Sequence, residues 1–435
     1  MKSLNIMCNT QKRFLYFFTF IMLSFFGVAQ NDINSPYSGY GVGDLAHRTN
    51  IVSASMGGVG YAFQNPYYIN FKNPAAFAAF DSLSFIGDLA FSLTNQNLKT
   101  QKQAQSGSFA QLNYLAIGLP VLPVWRTSVG IMPYSDIGYN IKDTYNKEHF
   151  GEITNQYKGE GGLVILYWGN AFKICKGLTM GLNLSYLFGT INKISFAEYN
   201  DLGNSFNTMI SNFRHLDGIQ LSAGIQYNTT INEKHRLGFG AVYENALKVW
   251  SKENLIELNY FNQYSPTNYF DTVVVRIGKN ALKSNVKMPQ TVGGGISYEY
   301  KDKLLVAADI TWQNWKNFYM SNTKDSLTNN LISAIGIQYI PNPMSSKYYN
   351  KINFRAGTRI SAGYVILNNH SISEFAVSVG LGLPFRTINT RSSLNIMFEY
   401  SKLGTIKNNL ILQNYYKLSF NFILQEKWYQ RRKLE

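Results

Sequence analysis

The sequence is poor in cysteine and histidine, the side chains that most often bind metals. Only Cys8 and Cys175 occur in 435 residues, so a disulfide framework and a cysteine-built zinc or iron–sulfur site are excluded. The five histidines are scattered, and no two of them lie three or four positions apart. We therefore expect neither a metal site nor another cofactor.

Charged residues are also scarce, at 15% of the chain, against ~25% in an average soluble domain. Aromatic residues make up a further 15%, enough to bury ample apolar surface and to argue against disorder. Mean hydropathy is nonetheless slightly negative, at −0.15, which excludes a bundle of transmembrane helices. Apolar residues must then alternate with polar ones at short range, as they do in β-strands.

The one long apolar run lies at the N-terminus. Basic residues precede an apolar stretch at 14–26, and small residues follow it. This order predicts a secretory signal peptide over residues 1–29, cleaved between Ala29 and Gln30. The run is shorter than the ~20 residues that a membrane-spanning helix needs. A permanent N-terminal anchor is the alternative.

Cleavage would leave a basic chain. The formal charge is +15, three of the positive charges lie in 1–29 and no acidic residue does, so +12 remains. A basic exported protein suggests anionic partners, such as phosphorylated lipid headgroups. A scatter of solvated loop lysines is the alternative.

The rest of the chain divides into two unlike parts. Residues 30–81 are irregular and glycine-rich, whereas polar and apolar residues alternate with a period of two from Ser82 onward. In 178–186, for example, the even positions are apolar and the odd positions are small or polar. Such alternation is typical of strands with one face toward lipid and the other toward a lumen. In hydrocarbon these strands must close into a barrel, because every backbone polar group needs a partner.

We therefore predict an all-β fold, a fourteen-stranded antiparallel transmembrane β-barrel over residues 82–425. The predicted strands are 82–93, 108–119, 126–142, 161–173, 178–192, 217–229, 236–249, 289–300, 304–315, 330–341, 352–367, 372–386, 392–403 and 410–425. Long connections are expected outside the cell, at 143–160, 193–216 and 250–288. An even strand count places both termini in the periplasm. The connections 342–351 and 368–371 break the alternation of short and long.

Four features resemble those of a known family. They are the glycine-rich segment ending in Asn73-Pro74-Ala75-Ala76-Phe77, the pair Gly118-Leu119-Pro120 and Gly130-Ile131-Met132-Pro133-Tyr134, Met288-Pro289 with a hairpin ending at 308–315, and the basic end at 426–433. In the order and spacing of these features, the chain resembles a divergent branch of the FadL-type (TodX-like) outer-membrane transporters of hydrophobic compounds. The resemblance implies a fourteen-stranded barrel whose lumen holds an N-terminal hatch. It also implies that an apolar ligand enters from outside and leaves sideways at a kink in the third strand.

Two sets of residues follow from this resemblance. Asn73, Pro74 and Ala75 match the hatch motif, which places residues 30–81 inside the barrel, and the same residues suit the capped start of a short helix. Pro133 and Gly138 are the candidate kink and lateral gate, because proline lacks the N–H for a ladder bond and glycine weakens packing. The alternatives are an ordinary capped turn before a strand, and a bulge or rim at Pro133.

A third set forms a candidate external hydrophobic loop, since 193–216 contains Phe196, Phe206, Met209 and Phe213. These side chains would line an outer groove for an apolar ligand. The alternative is that they pack within the loop. Lumen-facing positions are mainly small and polar, and none of them can be singled out as a ligand contact.

Signals for catalysis are weak. His215 lies near Asp217 and His370 near Ser371, but each pair lacks the third partner of a nucleophile system. Residues adjacent on a strand also point to opposite faces. We expect no enzyme activity and no nucleic-acid binding.

Two functions remain. The first is an outer-membrane channel of a Gram-negative bacterium for uptake of hydrophobic small molecules, such as long-chain fatty acids, with outer-membrane lipids and the ligand as partners. The second is a non-transporting barrel that serves as a subunit or scaffold of an outer-membrane assembly or secretion complex. In that case the basic periplasmic tail at 426–435 would contact an outer-membrane or periplasmic protein.

Overall fold

The computed structural model describes residues 35–149, 151–199, 206–232, 234–246, 248–261, 271–277, 281–320, 325–386 and 391–427. The predicted signal peptide at 1–29 and all but the first two residues of the predicted tail at 426–435 lie outside the described residues. No helix in the described ranges is both long and apolar enough to cross a bilayer.

Strands dominate the described residues. In chain order they are β1 (Asp44–Leu45), β2 (Ser84–Lys99), β3 (Ala104–Pro120), β4 (Trp125–Lys147), β5 (Gly151–Cys175), β6 (Leu178–Tyr199), β7 (Asn207–Asn232), β8 (His235–Glu244), β9 (Lys248–Tyr260), β10 (Asp271–Arg276), β11 (Leu282–Lys287), β12 (Thr291–Tyr300), β13 (Leu304–Gln313), β14 (Asn330–Tyr339), β15 (Asn353–Ser361), β16 (Ile366–Leu367), β17 (His370–Ser371), β18 (Glu374–Arg386), β19 (Arg391–Leu403) and β20 (Leu412–Lys427). The helices are short: Pro36–Gly39, Ile51–Ala54, Pro74–Ala79, Trp315–Asn317, Tyr348–Lys351 and Lys407–Asn409.

Fourteen of these strands form a closed antiparallel barrel. They are β2–β8, β12–β15 and β18–β20, and the last of them pairs with β2 to close the wall. On β6 the leucines 182 and 184 are exposed on the outside, while Asn183 and Ser185 are buried inside. This is the alternation that lipid imposes on a transmembrane strand. The predicted fold class and strand count are confirmed.

Four of the barrel strands are much longer than a bilayer requires. β4, β5, β6 and β7 contain 23, 25, 22 and 26 residues, against the ~9–11 that a transmembrane strand needs. The prediction of long loops at 143–160, 193–216 and 250–288 is therefore wrong wherever these segments are described, because strands occupy most of them. They were missed because no face of these segments lies against lipid, so an apolar residue is not required at every second position.

The segment of residues 35–80, which we call the plug, lies inside the barrel. Met56 and Phe77 are fully buried and belong to one hydrophobic cluster with wall residues such as Met397. Glycines of the wall make room for it: a Cβ at Gly240 or Gly336 would overlap with plug backbone. The plug therefore packs against the wall as a core packs against a sheet.

Candidate functional site

The hatch motif attaches the plug to the wall. Asn73 caps the helix Pro74–Ala79, accepting a hydrogen bond from the Ala75 N–H at 3.0 Å. Its amide also donates to the Tyr61 carbonyl oxygen at 2.8 Å. A Cβ at Gly224 of β7 would overlap with this side chain. The predicted cap is present, and the structure adds the glycine of the wall against which it rests.

The wall separates between β3 and β4. These strands pair only between Leu115–Pro120 and Arg126–Ile131, whereas β4 pairs with β5 along its whole length. The split begins just before Pro133, and the β4–β5 register shifts there between Pro133 and Ser135. We call the opening between β3 before Leu115 and β4 after Ile131 the seam. Both candidate gate residues of β4, Pro133 and Gly138, lie along it.

A strand of the plug occupies part of the seam. β1 pairs with β4 at residues 135–136, where β3 has moved away. The Ala46 N–H donates to the Tyr134 carbonyl oxygen at 2.9 Å, and the Ser35 N–H donates to that of Gly138 at 2.7 Å. The plug thus satisfies backbone groups of β4 that β3 leaves without a partner.

A cavity of about 280 Å³ lies behind the seam, between the plug and the wall. Phe109, Met132 and Pro133 line it on the seam side, and Ile332 and Met397 line it across the lumen. A second cavity of about 130 Å³ shares the plug residues 46–49 with it. Together these spaces can hold a small apolar or amphipathic molecule.

Charged side chains line the first cavity at the seam, where Asp136 lies, and also deeper in the lumen. Arg359 of β15 binds Glu374 of β18 at 3.0 Å and Glu399 of β19 at 3.4 Å. His47 of the plug lies 3.3 Å from Glu374, and Lys417 of β20 lies opposite Glu399 in the ladder. Sequence reasoning missed these residues, because an inward-facing charge looks like any other polar position of an alternating strand.

The plug closes the lumen more tightly on the other side of the second cavity. The Tyr61 hydroxyl lies 2.9 Å from the Thr311 hydroxyl, and its ring occupies the space that a Cβ at Gly293 would need. Nearby, Lys72 binds Asp309 at 3.1 Å. A third cavity, of about 250 Å³, lies beyond this contact and is lined by Phe63. Tyr61 and its neighbours therefore separate the second cavity from the third.

The aromatic residues predicted as an external loop do not form one surface. The segment is not a loop: Phe196 lies on β6, Met209 and Phe213 lie on β7, and Phe206 directly precedes β7. Phe196 packs on a cluster around buried Met209. Phe206 and Phe213 are 42% and 38% exposed. Phe196 and Met209 therefore pack into this cluster and do not line a groove.

The residue pairs considered for catalysis stay apart from the cavity. His215 is half exposed and lies 3.9 Å from Asp217. His370 of β17 contacts Asn408, which lies in the connection that follows β19. Within the described part of the chain, no three His, Cys, Asp or Glu side chains are grouped as metal ligands.

Comparison with known proteins gives a family and a fold. The sequence model of a family described as BamG matches residues 11–435. None of the curated proteins compared with the chain matches it.

Several solved structures share the fold. The Pseudomonas putida toluene transporter TodX is 16% identical, with a TM-score of 0.55 over 89% of this chain and 100% of that one. A Pseudomonas aeruginosa FadL homologue is 11% identical, with a TM-score of 0.56 over 88% and 98%. The Ralstonia pickettii toluene transporter TbuX is 14% identical, with a TM-score of 0.52 over 87% and 98%. The predicted FadL-type fold is therefore confirmed.

Proposed function

The chain belongs to the BamG family, and on that premise we propose that it is an outer-membrane channel of a Gram-negative bacterium. Hydrophobic or amphipathic small molecules, such as long-chain fatty acids, would enter the first cavity and leave sideways through the seam. The observation that carries this proposal is the coincidence of the two features, since the cavity lies directly behind the place where β3 and β4 separate.

The packing of the plug favours a sideways exit over an axial one. An axial path must displace Tyr61, which is held by Thr311 and packed against glycines of two wall strands, β8 and β12. A sideways path must displace β1, which pairs with β4 at only two positions. Displacing a ring that the wall encloses costs packing as well as a hydrogen bond, whereas β1 and its neighbours lose mainly hydrogen bonds to β4 that water can replace. We therefore infer that the seam is the easier exit.

The lining of the cavity suits a ligand with one polar end. Apolar side chains such as Phe109 and Met132 line the cavity beside the seam, around the single wall carboxylate of Asp136, and the cations Lys417 and Arg359 also line it. An apolar tail can bury its surface near the lipid, while its polar end meets charged groups in the lumen. The names of two structural relatives, toluene transporters, support small hydrophobic ligands as a class.

A cross-link across the seam tests this proposal. The Gln111 amide of β3 donates to the Asp136 carboxylate of β4 at 2.8 Å, so cysteines at both positions can be joined by a short bifunctional thiol reagent. In a Cys175→Ser background, the protein is reconstituted into liposomes, and delivery of a fluorescent long-chain fatty acid from albumin is timed. We expect the Cys175→Ser parent and the Gln111→Cys single variant, both of which keep Asp136, to accelerate delivery, and the linked double variant to lose most of the acceleration.

A matched control is available on the same two strands. Ile117 and Val129 already face each other in the paired part of the β3–β4 ladder, so a link between cysteines at these positions does not close the seam. Delivery should persist in that variant. If the link between 111 and 136 left delivery unchanged, the exit would not be the seam.

One observation favours the second candidate, a non-transporting subunit of an outer-membrane complex. The connection 340–352 lies at the end of the barrel that carries the short turns, yet it is long and internally hydrogen-bonded. It presents Met344, which is 88% exposed, beside Tyr349 and Lys347. Such a preformed apolar tip with basic neighbours suits contact with an acidic periplasmic protein. This candidate predicts that the Cys175→Ser parent does not accelerate delivery in the same assay.

A further inference from the structure

Two carboxylates face each other where the plug meets the seam. Asp44 of β1 is the direct partner of Asp136 of β4 in the ladder. Side chains in such directly opposed positions lie on the same face with Cβ atoms ~4.5–5.5 Å apart, and like charges there are destabilising. Both residues also line the first cavity. The one strand pair that joins plug to seam is thus built around a repulsive contact.

One further carboxylate, that of Glu374 on β18, adds to the repulsion at Asp44. The phenols of Tyr364, on the connection 362–373, and Tyr415 of β20 also face Asp44. No cation is among the groups that act on it in the described structure. Burial, Asp136 and Glu374 raise the pKa of Asp44 from 3.8 to about 7, against a hydrogen bond with Ser35 that lowers it.

The groups around Asp136 and on the plug itself act differently. Asp136 accepts a hydrogen bond from Gln111 at 2.8 Å and faces Lys417 of β20. Because these contacts partly neutralise Asp136, protonation of Asp44 relieves most of the repulsion between the two carboxylates. His47, next to β1, contacts Glu374 at 3.3 Å. Protonation of Asp44 therefore holds β1 in place.

We propose that β1 is a proton-controlled latch on the seam: it pairs with β4 at acidic pH and is released above neutrality, when both aspartates are charged. The direction follows from linkage. The latched state binds the proton on Asp44 more tightly than the released state, so latching is favoured at low pH and is lost as the pH rises through about 7. The latch would regulate the opening named under the proposed function and rests on its use as an exit.

Thiol labelling measures the latch without any ligand. In the full-length Cys175→Ser protein in liposomes, Ala46→Cys places a thiol directly after β1, on the cavity. A water-soluble maleimide is applied at pH 6 and pH 8 in chelator-containing buffer. Rates are normalised to those of a thiol at the exposed position of Gln105 on β3, which corrects for ionisation of the thiol. We expect a normalised increase of about tenfold between these pH values.

The variants decide the outcome. Asp44→Asn should label slowly at both pH values, and so should Asp136→Asn, since each removes the repulsion. Asp81→Asn, a carboxylate just beyond the plug that is bonded to Ser84, should keep the tenfold increase. A flat profile in the parent, or an unchanged increase in both Asp44→Asn and Asp136→Asn, would overturn the latch. Because no ligand is present, a protein that transports nothing can still pass or fail this test.

Discussion

Two arginines of this barrel make similar ion pairs in opposite surroundings. Arg359 binds two glutamates in the lumen, and its side chain is 5% exposed. Arg236 binds Glu299 and Asp302 at a turn, and its side chain is 46% exposed. Water screens the ion pairs of Arg236 more than those of Arg359. The pairs of Arg359 should therefore contribute more to the free energy of unfolding.

Replacing each arginine by methionine measures the two contributions separately. Arg359→Met leaves Glu374 and Glu399 buried without the arginine that they share, which should lower the free energy of unfolding by about 3–5 kcal/mol. Arg236→Met removes only exposed pairs and should cost at most about 1 kcal/mol. Urea unfolding in detergent micelles, followed by tryptophan fluorescence, gives both values. Equal losses would mean that the lumen network is hydrated as well as the turn is.

At the scale of elements, the membrane decided what the sequence could predict. Lipid forces an apolar residue outward at every second position, as at Leu182 and Leu184, so the fourteen strands were readable from alternation. The strand extensions above the membrane have no lipid-facing side, so no apolar residue is required at every second position. The lumen network was also hidden: Arg359 and Glu399 are 40 residues apart, and only the strand order brings them together.

The extensions are held by a small core of their own. Met209 of β7 and Leu258 of β9 are ladder partners and are both buried. Leu258→Asp should detach the outer part of β9, because a buried carboxylate without a partner is costly. Hydrogen exchange of residues 248–260 should accelerate by at least about tenfold while the barrel strands stay protected.

The neighbouring position gives a control for that prediction. Ile210→Asp changes an exposed residue of the same sheet and should leave exchange of 248–260 unaltered. Loss of protection across the barrel in Leu258→Asp would show that extension and barrel unfold as one unit.

At the scale of the whole molecule, plug and barrel form one packed body with two kinds of contact. Arg48 of the plug binds Glu244 of β8 at 2.8 Å, and Lys72 binds Asp309 of β13 at 3.1 Å. Together with the glycine-lined contact at Tyr61, these pairs fix the plug to the wall opposite the seam. Only the β1 side rests on a contact that repels. This difference between the two sides fits the sideways exit proposed above.

This asymmetry predicts how the barrel conducts. Intact protein in a planar bilayer should show little ion conductance, because Tyr61 and its neighbours separate the cavities along the axis. Deleting residues 30–80 should open a stable pore. Tyr61→Ala, which removes the ring but leaves the plug attached, should give an intermediate conductance. Folding of each variant is checked by the heat-dependent gel shift of a closed barrel. A folded deletion variant that conducts no better than the intact protein would show that the plug is not what closes the lumen.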